Sequence, residues 1–303
     1  MRSKVFSGKL SVAILLSEDR TLFVDVLLDT LLDCLKLLPF LLAAYLAIEF
    51  IEDKAEEKTV ALVHRAGKWG PVIGSALGVV PQCGISAATA NLYATGIITR
   101  GTLIAVFLST SDEMLPILIS HNAPPAFIFK VLAYKLFAGI LAGIVIDIAE
   151  RKLGHERHKT IHEMCEQEGC RCEDGIVKSA LRHTVKIFLF LLVVTLAVNL
   201  AVAALGEDRL GSFILNRPVV GEFLAGIIGL IPNCAASVVL TSLYLQGGMT
   251  AGAMISGLLV GSGVGLLVLV RMNRDWKDSL LTLLLLYASG VVFGLLAGVL
   301  RLF

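Results

Sequence analysis

Asp112 and Glu113 stand side by side in Ser109-Thr-Ser-Asp-Glu-Met-Leu-Pro116, halfway along the apolar stretch 101–120. Carboxylates are expensive in such a segment and usually face a cavity where a cation or a proton is handled. The structural alternative is an ion pair with Lys130 or Lys135 of the next apolar stretch. Two thiols form a second set, in Pro81-Gln82-Cys83 and Pro232-Asn233-Cys234. Thiolate is a soft donor suited to Cu(I), Zn(II), Cd(II) or trivalent arsenic, although a free cysteine also serves as a small buried hydrophobe. Gln82, Asn233, Ser86, Ser237, Ser111 and Ser262 offer neutral oxygen and amide groups around them. The serines serve equally well as helix-packing residues.

The third set is exposed by composition. His155, His158, His162, Cys165, Cys170 and Cys172 lie in one polar loop among charged neighbours. These are the donors of a zinc or soft-metal site, but their spacing matches no closed zinc module, so a mobile metal-capturing or sensing segment is expected. Near the N-terminus, Asp25, Asp29 and Asp33 recur every four residues and share one helical face. That face is either the exit vestibule of a cation pathway or the solvated side of an interfacial amphipathic turn.

The elements that must position these residues come in two copies. The stretch around Pro81 and Cys83 returns at an offset of 151 residues (Cys83 to Cys234) without a gap. Gly70, Gly78, Ser86, Tyr93, Gly96, Thr99, Gly101 and Ser111 fall on Gly221, Gly229, Ser237, Tyr244, Gly247, Thr250, Gly252 and Ser262. The second copy has Gly263 and Val264 where the first has Asp112 and Glu113. The carboxylates are therefore an addition to one copy, not a requirement of the repeating unit.

Of the 303 residues, 56% are hydrophobic and 17% charged, with a mean hydropathy of +0.82. That is too apolar for an ordinary soluble domain. Residues 21–50, 101–120, 126–149, 184–206, 251–270 and 279–300 are long and apolar enough to span a bilayer, which takes about 20 residues per helix. The ten-residue alternation of a β-barrel is absent. Residues 71–80 and 84–95 reach only about half of the hydrocarbon at roughly 1.5 Å per residue, which predicts a re-entrant helical hairpin turning at Pro81 and Gly84. The fold expected is an all-α polytopic membrane protein of two inverted-topology repeats, each with three spanning helices and a re-entrant Pro-x-Cys hairpin. Its parts are an N-terminal tail (1–20), repeat 1 (21–149), a cytoplasmic His/Cys-rich loop (150–182) and repeat 2 (183–303).

The basic residues divide unevenly. Lys54, Lys58, Arg65, Lys68, Arg100, the 150–182 loop, Arg271, Arg274 and Lys277 fall on one side, and Arg209, Arg217, Arg301 and the basic tail on the other. The positive-inside bias puts the first group in the cytoplasm and the N-terminus outside, in the cytoplasmic (inner) membrane. Ser17-Glu-Asp-Arg20 stands where a small-residue cleavage site would be, so no cleaved signal peptide is expected. No basic or aromatic patch suggests nucleic acid.

In its Pro-x-Cys repeats, its STSDEMLP segment and its His/Cys loop, the chain resembles the ten-helix heavy-metal exporters. That family goes by the names of arsenic efflux protein and manganese transporter and is a distant relative of the organoarsenical permeases. The resemblance implies export of a divalent heavy metal or metalloid. The permeases carry a further cysteine beside the hairpin proline where this chain has Gln82 or Asn233. Manganese(II) favours Asp112 and Glu113, while the cysteines favour a softer ion. No Walker A pattern is visible, so the expected drive is an ion gradient, with protons exchanged at the carboxylates. The expectation is thus a secondary-active exporter with no tightly bound cofactor, the transported metal and a proton or other ion being its partners. A homo-oligomer is left open. The competing readings are a membrane thiol oxidoreductase built on Cys83 and Cys234, and a passive metal channel or sensor.

Overall fold

The computed structural model describes residues 69–80, 83–111, 114–153, 176–205, 219–232, 234–273 and 275–303, with scattered helical positions between Leu27 and Leu46. Among these residues every regular element is a helix. In chain order they are α1 Gly70–Gly78, α2 Cys83–Ala94, α3 Arg100–Ser109, α4 Met114–Ser120, α5 Pro125–Lys152 and α6 Ile176–Leu205. Then follow α7 Val220–Gly229, α8 Cys234–Leu245, α9 Ala251–Val260, α10 Gly265–Met272 and α11 Trp276–Val299.

The same local signals act in both copies of the repeat. Thr99 and Thr250 sit just before α3 and α9, and each side-chain oxygen accepts from a backbone N–H of the first turn, that of Thr102 or Ala253. This is N-capping, which satisfies a donor that a helix start leaves open. Gly96 and Gly247 follow α2 and α8 with φ of 78° and 75°. The next N–H reaches back five residues, from Ile97 to Leu92 and from Gly248 to Leu243. Glycine takes this left-handed turn without a Cβ penalty, so both helices end at the same place.

Four segments are long and apolar enough to cross a membrane: Arg100–Ser120, Pro125–Lys152, Ala251–Met272 and Trp276–Val299. Phe129, Phe137, Leu141, Val145 and Ile148 leave one face of α5 exposed, and Leu281, Leu284, Val292, Leu296 and Val299 do so on α11. Belts of this size need lipid to cover them. The opposite face of α5, with Val131, Lys135, Ala138, Gly139, Ala142 and Gly143, is buried. At the centre α3 is buried on every side and α9 at all but its first residue, as expected of helices apolar all round. The chain is an α-helical polytopic membrane protein.

Small residues set the helix directions. Gly70 lies against Thr102 and Gly78 against Ser109, so α1 runs the same way as α3. Gly101 lies against Gly143 and Asp147, and Gly139 against Ala105, so α5 runs the opposite way. In the second copy Gly252 meets Glu222 and Gly229 meets Gly257, while Gly252 also meets Gly294 and Gly290 meets Val260. Helices α7, α9 and α11 therefore repeat the arrangement of α1, α3 and α5. The halves join through α2 on α10, α8 on α4, and α3 on both α9 and α11. At Gly265 a Cβ would stand 2.8 Å from the Phe107 ring and 2.9 Å from the Ser86 side chain. Only glycine admits so close a contact.

The structure differs from the sequence reading in the continuity of two stretches. Stretches 101–120 and 251–270, read as uninterrupted, are each broken in the middle. Helix α3 ends at Ser109 and α4 begins at Met114, while α9 ends at Val260 and α10 begins at Gly265. In the first copy hydroxyls compete for the backbone: Ser109 Oγ donates to Ala105 O (2.9 Å), Thr110 Oγ1 to Val106 O (2.7 Å) and Ser111 Oγ to Ser109 O (3.1 Å). Such back-bonding offers carbonyls an alternative to the helical ladder. In the second copy Gly261-Ser-Gly263 does it, with Gly263 at φ 54°, a conformation that ends a helix.

Candidate functional site

A helix that stops inside an apolar layer leaves its last carbonyls without N–H partners and presents the negative end of its dipole. Here two such ends come together. Lys135, midway along α5 and 1% exposed, donates from Nζ to Thr110 O just past α3 (2.5 Å) and to Leu258 O in the last turn of α9 (2.7 Å). One ammonium thus bridges the broken helices of both halves. Ser111 and Ser262, at equivalent places in the two breaks, are both buried. Ser262 Oγ has no hydrogen-bond partner among the described residues.

Of the residues singled out from the sequence, Ser86 is fully buried on α2 against Gly265, and Ser237 is half-buried on α8. Cys83 and Cys234 are the first residues of α2 and α8, and their side chains fall outside the description. Gln82, Asp112, Glu113 and Asn233 lie outside the described residues, as do Asp25, Asp29, Asp33, His155, His158, His162, Cys165, Cys170 and Cys172. By sequence, Asp112 and Glu113 fall between Ser111 and Met114. Among the described residues no three His, Cys, Asp or Glu side chains gather as a metal site.

Other charges were not legible as a group. Arg100, which opens α3, pairs with Glu150 of α5 and Asp278 of α11, and its Nε donates to Tyr93 OH (3.1 Å). Tyr93 in turn donates to Asp278 Oδ2 (3.0 Å), as does Asn273 Nδ2 (2.5 Å). Arg100 and Asp278 are 8% and 4% exposed, so the network is a buried cross-link between the halves. Asp147 accepts from the Gly101 N–H and from Thr99 Oγ1, both at 2.9 Å, and so neutralises the start of α3. Glu222 of α7 lies against Gly252 at the start of α9. Spacing alone gives no sign of these contacts, since the partners are 46, 178 and 185 residues apart.

The opposite end of the molecule is aromatic. Phe127 stacks on Tyr244 at 5.7 Å and meets Phe303 edge-on, Tyr134 packs on Phe293 and Phe303, and Lys130 lies over the Phe303 ring. The equivalent residues Tyr93 and Tyr244 thus serve opposite ends, one polar and one aromatic.

Comparison with known proteins gives one match. The family described as "Putative, 10TM heavy-metal exporter" matches residues 18–216, well over half of the chain. The chain belongs to this family. The match to the exporter family spans the first copy of the repeat, the His/Cys loop and α6, and stops short of α7; the second copy is tied to it by the duplication. No curated protein and no solved structure matches the chain.

Proposed function

We propose that this chain is a secondary-active exporter of a divalent heavy metal or metalloid, of the manganese, zinc/cadmium or arsenic class, working by alternating access of two inverted halves. The observation that supports the reading is the end of α3 at Ser109, inside the Arg100–Ser120 crossing segment and shortly before, in sequence, the two carboxylates that the repeat itself does not require. Broken helices near the midplane are where transporters place their ions, because helix ends offer carbonyls and a dipole that continuous helices do not.

The contacts also support opposed halves. Arg100, at the start of α3, pairs with Asp278, at the start of α11. Helix α9 begins beside Gly294 and Gly298, at the far end of α11. So α3 and α9 enter from opposite ends, as inverted repeats require. The parallel course of α1 and α3 supports a re-entrant α1–α2 hairpin, since α2 must lead back to the end from which α1 came. Its tip, Pro81-Gln82-Cys83, and its counterpart Pro232-Asn233-Cys234 then join Asp112 and Glu113 around the ion, with Ser86, Ser111, Ser237 and Ser262 lining the path. In this reading the loop with His155, His158, His162, Cys165, Cys170 and Cys172 collects the ion on the cytoplasmic side, and Asp25, Asp29 and Asp33 form the exit.

The test is uptake of manganese, zinc, cadmium and arsenite into inside-out proteoliposomes, with and without a pH gradient. The expected result is saturable, gradient-driven uptake of at least one ion by the wild type, falling to the protein-free background in Asp112→Asn. Uptake of none of the four by the wild type would overturn the proposal.

A further inference from the structure

Helix α2 starts at Cys83 and brings Tyr93 to Asp278 in the Arg100 network, so it runs from the Pro81-Gln82-Cys83 motif towards the Arg100 end of the molecule. Its buried side is made of small residues, Ala87, Ala90 and Ala94, with Asn91 among them at 0% exposure. The neighbouring polar side chains are provided for: Thr89 Oγ1 donates to Ile85 O (2.6 Å), Thr95 Oγ1 to Leu92 O (2.7 Å) and Tyr93 OH to Asp278. Asn91 is the exception. Neither its Oδ1 nor its Nδ2 has a hydrogen-bond partner among the described residues. A carboxamide is costly to bury with one of these groups open, and here both are. Buried polar groups left open in this way signal something that completes the site.

The fold does not ask for this residue. Its counterpart in the second copy is Ser242, half-buried on α8, and an alanine would continue the small-residue side of α2 and suit a helix interior better than asparagine. We infer that Asn91 is a binding residue for the transported species on its way between the Arg100 end and the start of α2, holding it through the oxygens of its own water or hydroxide shell. This rests on the exporter reading and deepens it by adding a station ahead of the proposed ion site. From Asn91 to Cys83 is about 12 Å along the helix, at roughly 1.5 Å per residue. At this station Oδ1 accepts from an O–H of the shell and Nδ2 donates to a shell oxygen. No covalent bond is made or broken.

A carboxamide suits a shell better than a bare ion. It has one acceptor and two donors and no charge; a bare metal ion would use Oδ1 alone and leave the N–H groups open, whereas water or hydroxide on the ion answers both at little loss against a direct bond. Two of the substrate classes present such a shell. Divalent manganese and cadmium carry coordinated water, and arsenite at neutral pH is the neutral hydroxide As(OH)₃. A second open group continues the path. Ser262 Oγ is buried without a partner among the described residues, and Ser262 O accepts from the N–H of Gly265, which lies against Ser86 in the first turn of α2. Asn91 therefore stands towards the Arg100 end of α2, and Ser262 beside its beginning.

The experiment measures equilibrium binding of radiolabelled Mn²⁺, Cd²⁺ and arsenite to the purified full-length protein, with thermal midpoints and proteoliposome uptake on the same preparations. It compares wild type, Asn91→Leu, which keeps the size and removes both polar groups, and Asn91→Ser, which installs the residue of the second copy. Asn91→Leu should weaken binding at least about tenfold, as the loss of two hydrogen bonds requires, and its thermal midpoint should not fall below that of the wild type, because no bond within the fold is lost. Asn91→Ser should weaken binding about threefold or more. The ion whose affinity falls identifies the shell, aqua cation or arsenite. Wild-type affinity in Asn91→Leu, or in Asn91→Ser if the leucine variant does not fold, overturns the inference while uptake by the wild type leaves the exporter reading intact. A lowered midpoint with unchanged affinity in either variant would show a structural water only and also overturns it. Binding that weakens in Asn91→Leu, with no uptake of any ion by the wild type, overturns the exporter reading and keeps Asn91 as a binding residue. Binding of none of the three by the wild type overturns both.

Discussion

At the scale of residues, the buried charges have different tasks, and their partners tell them apart. Asp147 accepts from two donors at the start of α3, one on each carboxylate oxygen, an arrangement suited to holding a helix end. Lys135 donates to backbone carbonyls of two elements that both end at it. Arg100 is the extreme structural case, with two carboxylates, a phenol and an amide joined in one cluster across the halves. Removing one member of such a cluster leaves its partners charged and dry, which in buried pairs costs about 3–5 kcal/mol. Asp278→Ala should therefore lower the thermal midpoint of the detergent-solubilised protein sharply, and Asp278→Asn less, since the amide retains hydrogen bonds. Equal midpoints for Asp278→Ala and wild type would mean that the network opens to water. The carboxylates at Asp112 and Glu113 carry the opposite expectation. They are absent from the second copy of the unit, so Asp112→Asn should abolish transport and shift stability by less than about 1 kcal/mol, below the range of substitutions that break a packed contact.

At the scale of elements, the repeat allows one substitution to calibrate another. Thr99→Ala and Thr250→Ala each remove an N-cap, typically worth about 1 kcal/mol. Thr99 also donates to Asp147, whereas Thr250 has no such carboxylate contact among the described hydrogen bonds. Thr99→Ala should be the more destabilising by about 1.5–3 kcal/mol in thermal or denaturant unfolding, the worth of one hydrogen bond to a charged group. A larger effect at Thr250 would refute this assignment. Thr99, Gly96 and their counterparts Thr250 and Gly247 were legible as matched positions of the repeat but not as caps and stops, and the order of the apolar stretches was legible because each depends on a few neighbouring residues. The mid-membrane breaks were not. Ser109-Thr-Ser111 and Gly261-Ser-Gly263 are compatible with a continuous apolar helix, and what ends the helix is back-bonding and a left-handed glycine that hydropathy does not register. Lys135 was legible only as a candidate partner for Asp112 or Glu113. Its bond to Leu258, 123 residues away, follows from how the halves dock. Close packing was likewise half legible: the duplicated glycines Gly101 and Gly252 mark small-residue contacts, but Gly143 and Gly294, against which they pack, belong to α5 and α11, outside the strongest part of the repeat.

For the whole molecule, the two ends differ in chemistry, and that difference bears on the proposed placement of the chain in a membrane. The Arg100 end holds the starts of α3 and α11 and the end of α5, and with them Arg151, Lys152, Arg271 and Lys277. The Phe303 end gathers aromatic rings from α5, α8 and the C-terminus. Basic residues concentrate on the cytoplasmic side, and aromatic rings settle at membrane interfaces. The proposed function therefore puts the Arg100 end in the cytoplasm. Four exposed positions test this together with the opposed insertion of the halves: Lys152 and Lys277 at one end, His121 and Gln246 at the other. With the native cysteines replaced by alanine, Lys152→Cys and Lys277→Cys should react with a membrane-impermeant maleimide only in inside-out vesicles. His121→Cys and Gln246→Cys should react only in right-side-out ones. A second half inserted in the same sense as the first would instead label Lys277→Cys together with His121→Cys, because α5 and α11 would then begin on the same side. In that case α3 and α9 would enter from one end, their negative ends would not be opposed across the midplane, and Lys135 would have no junction to fill.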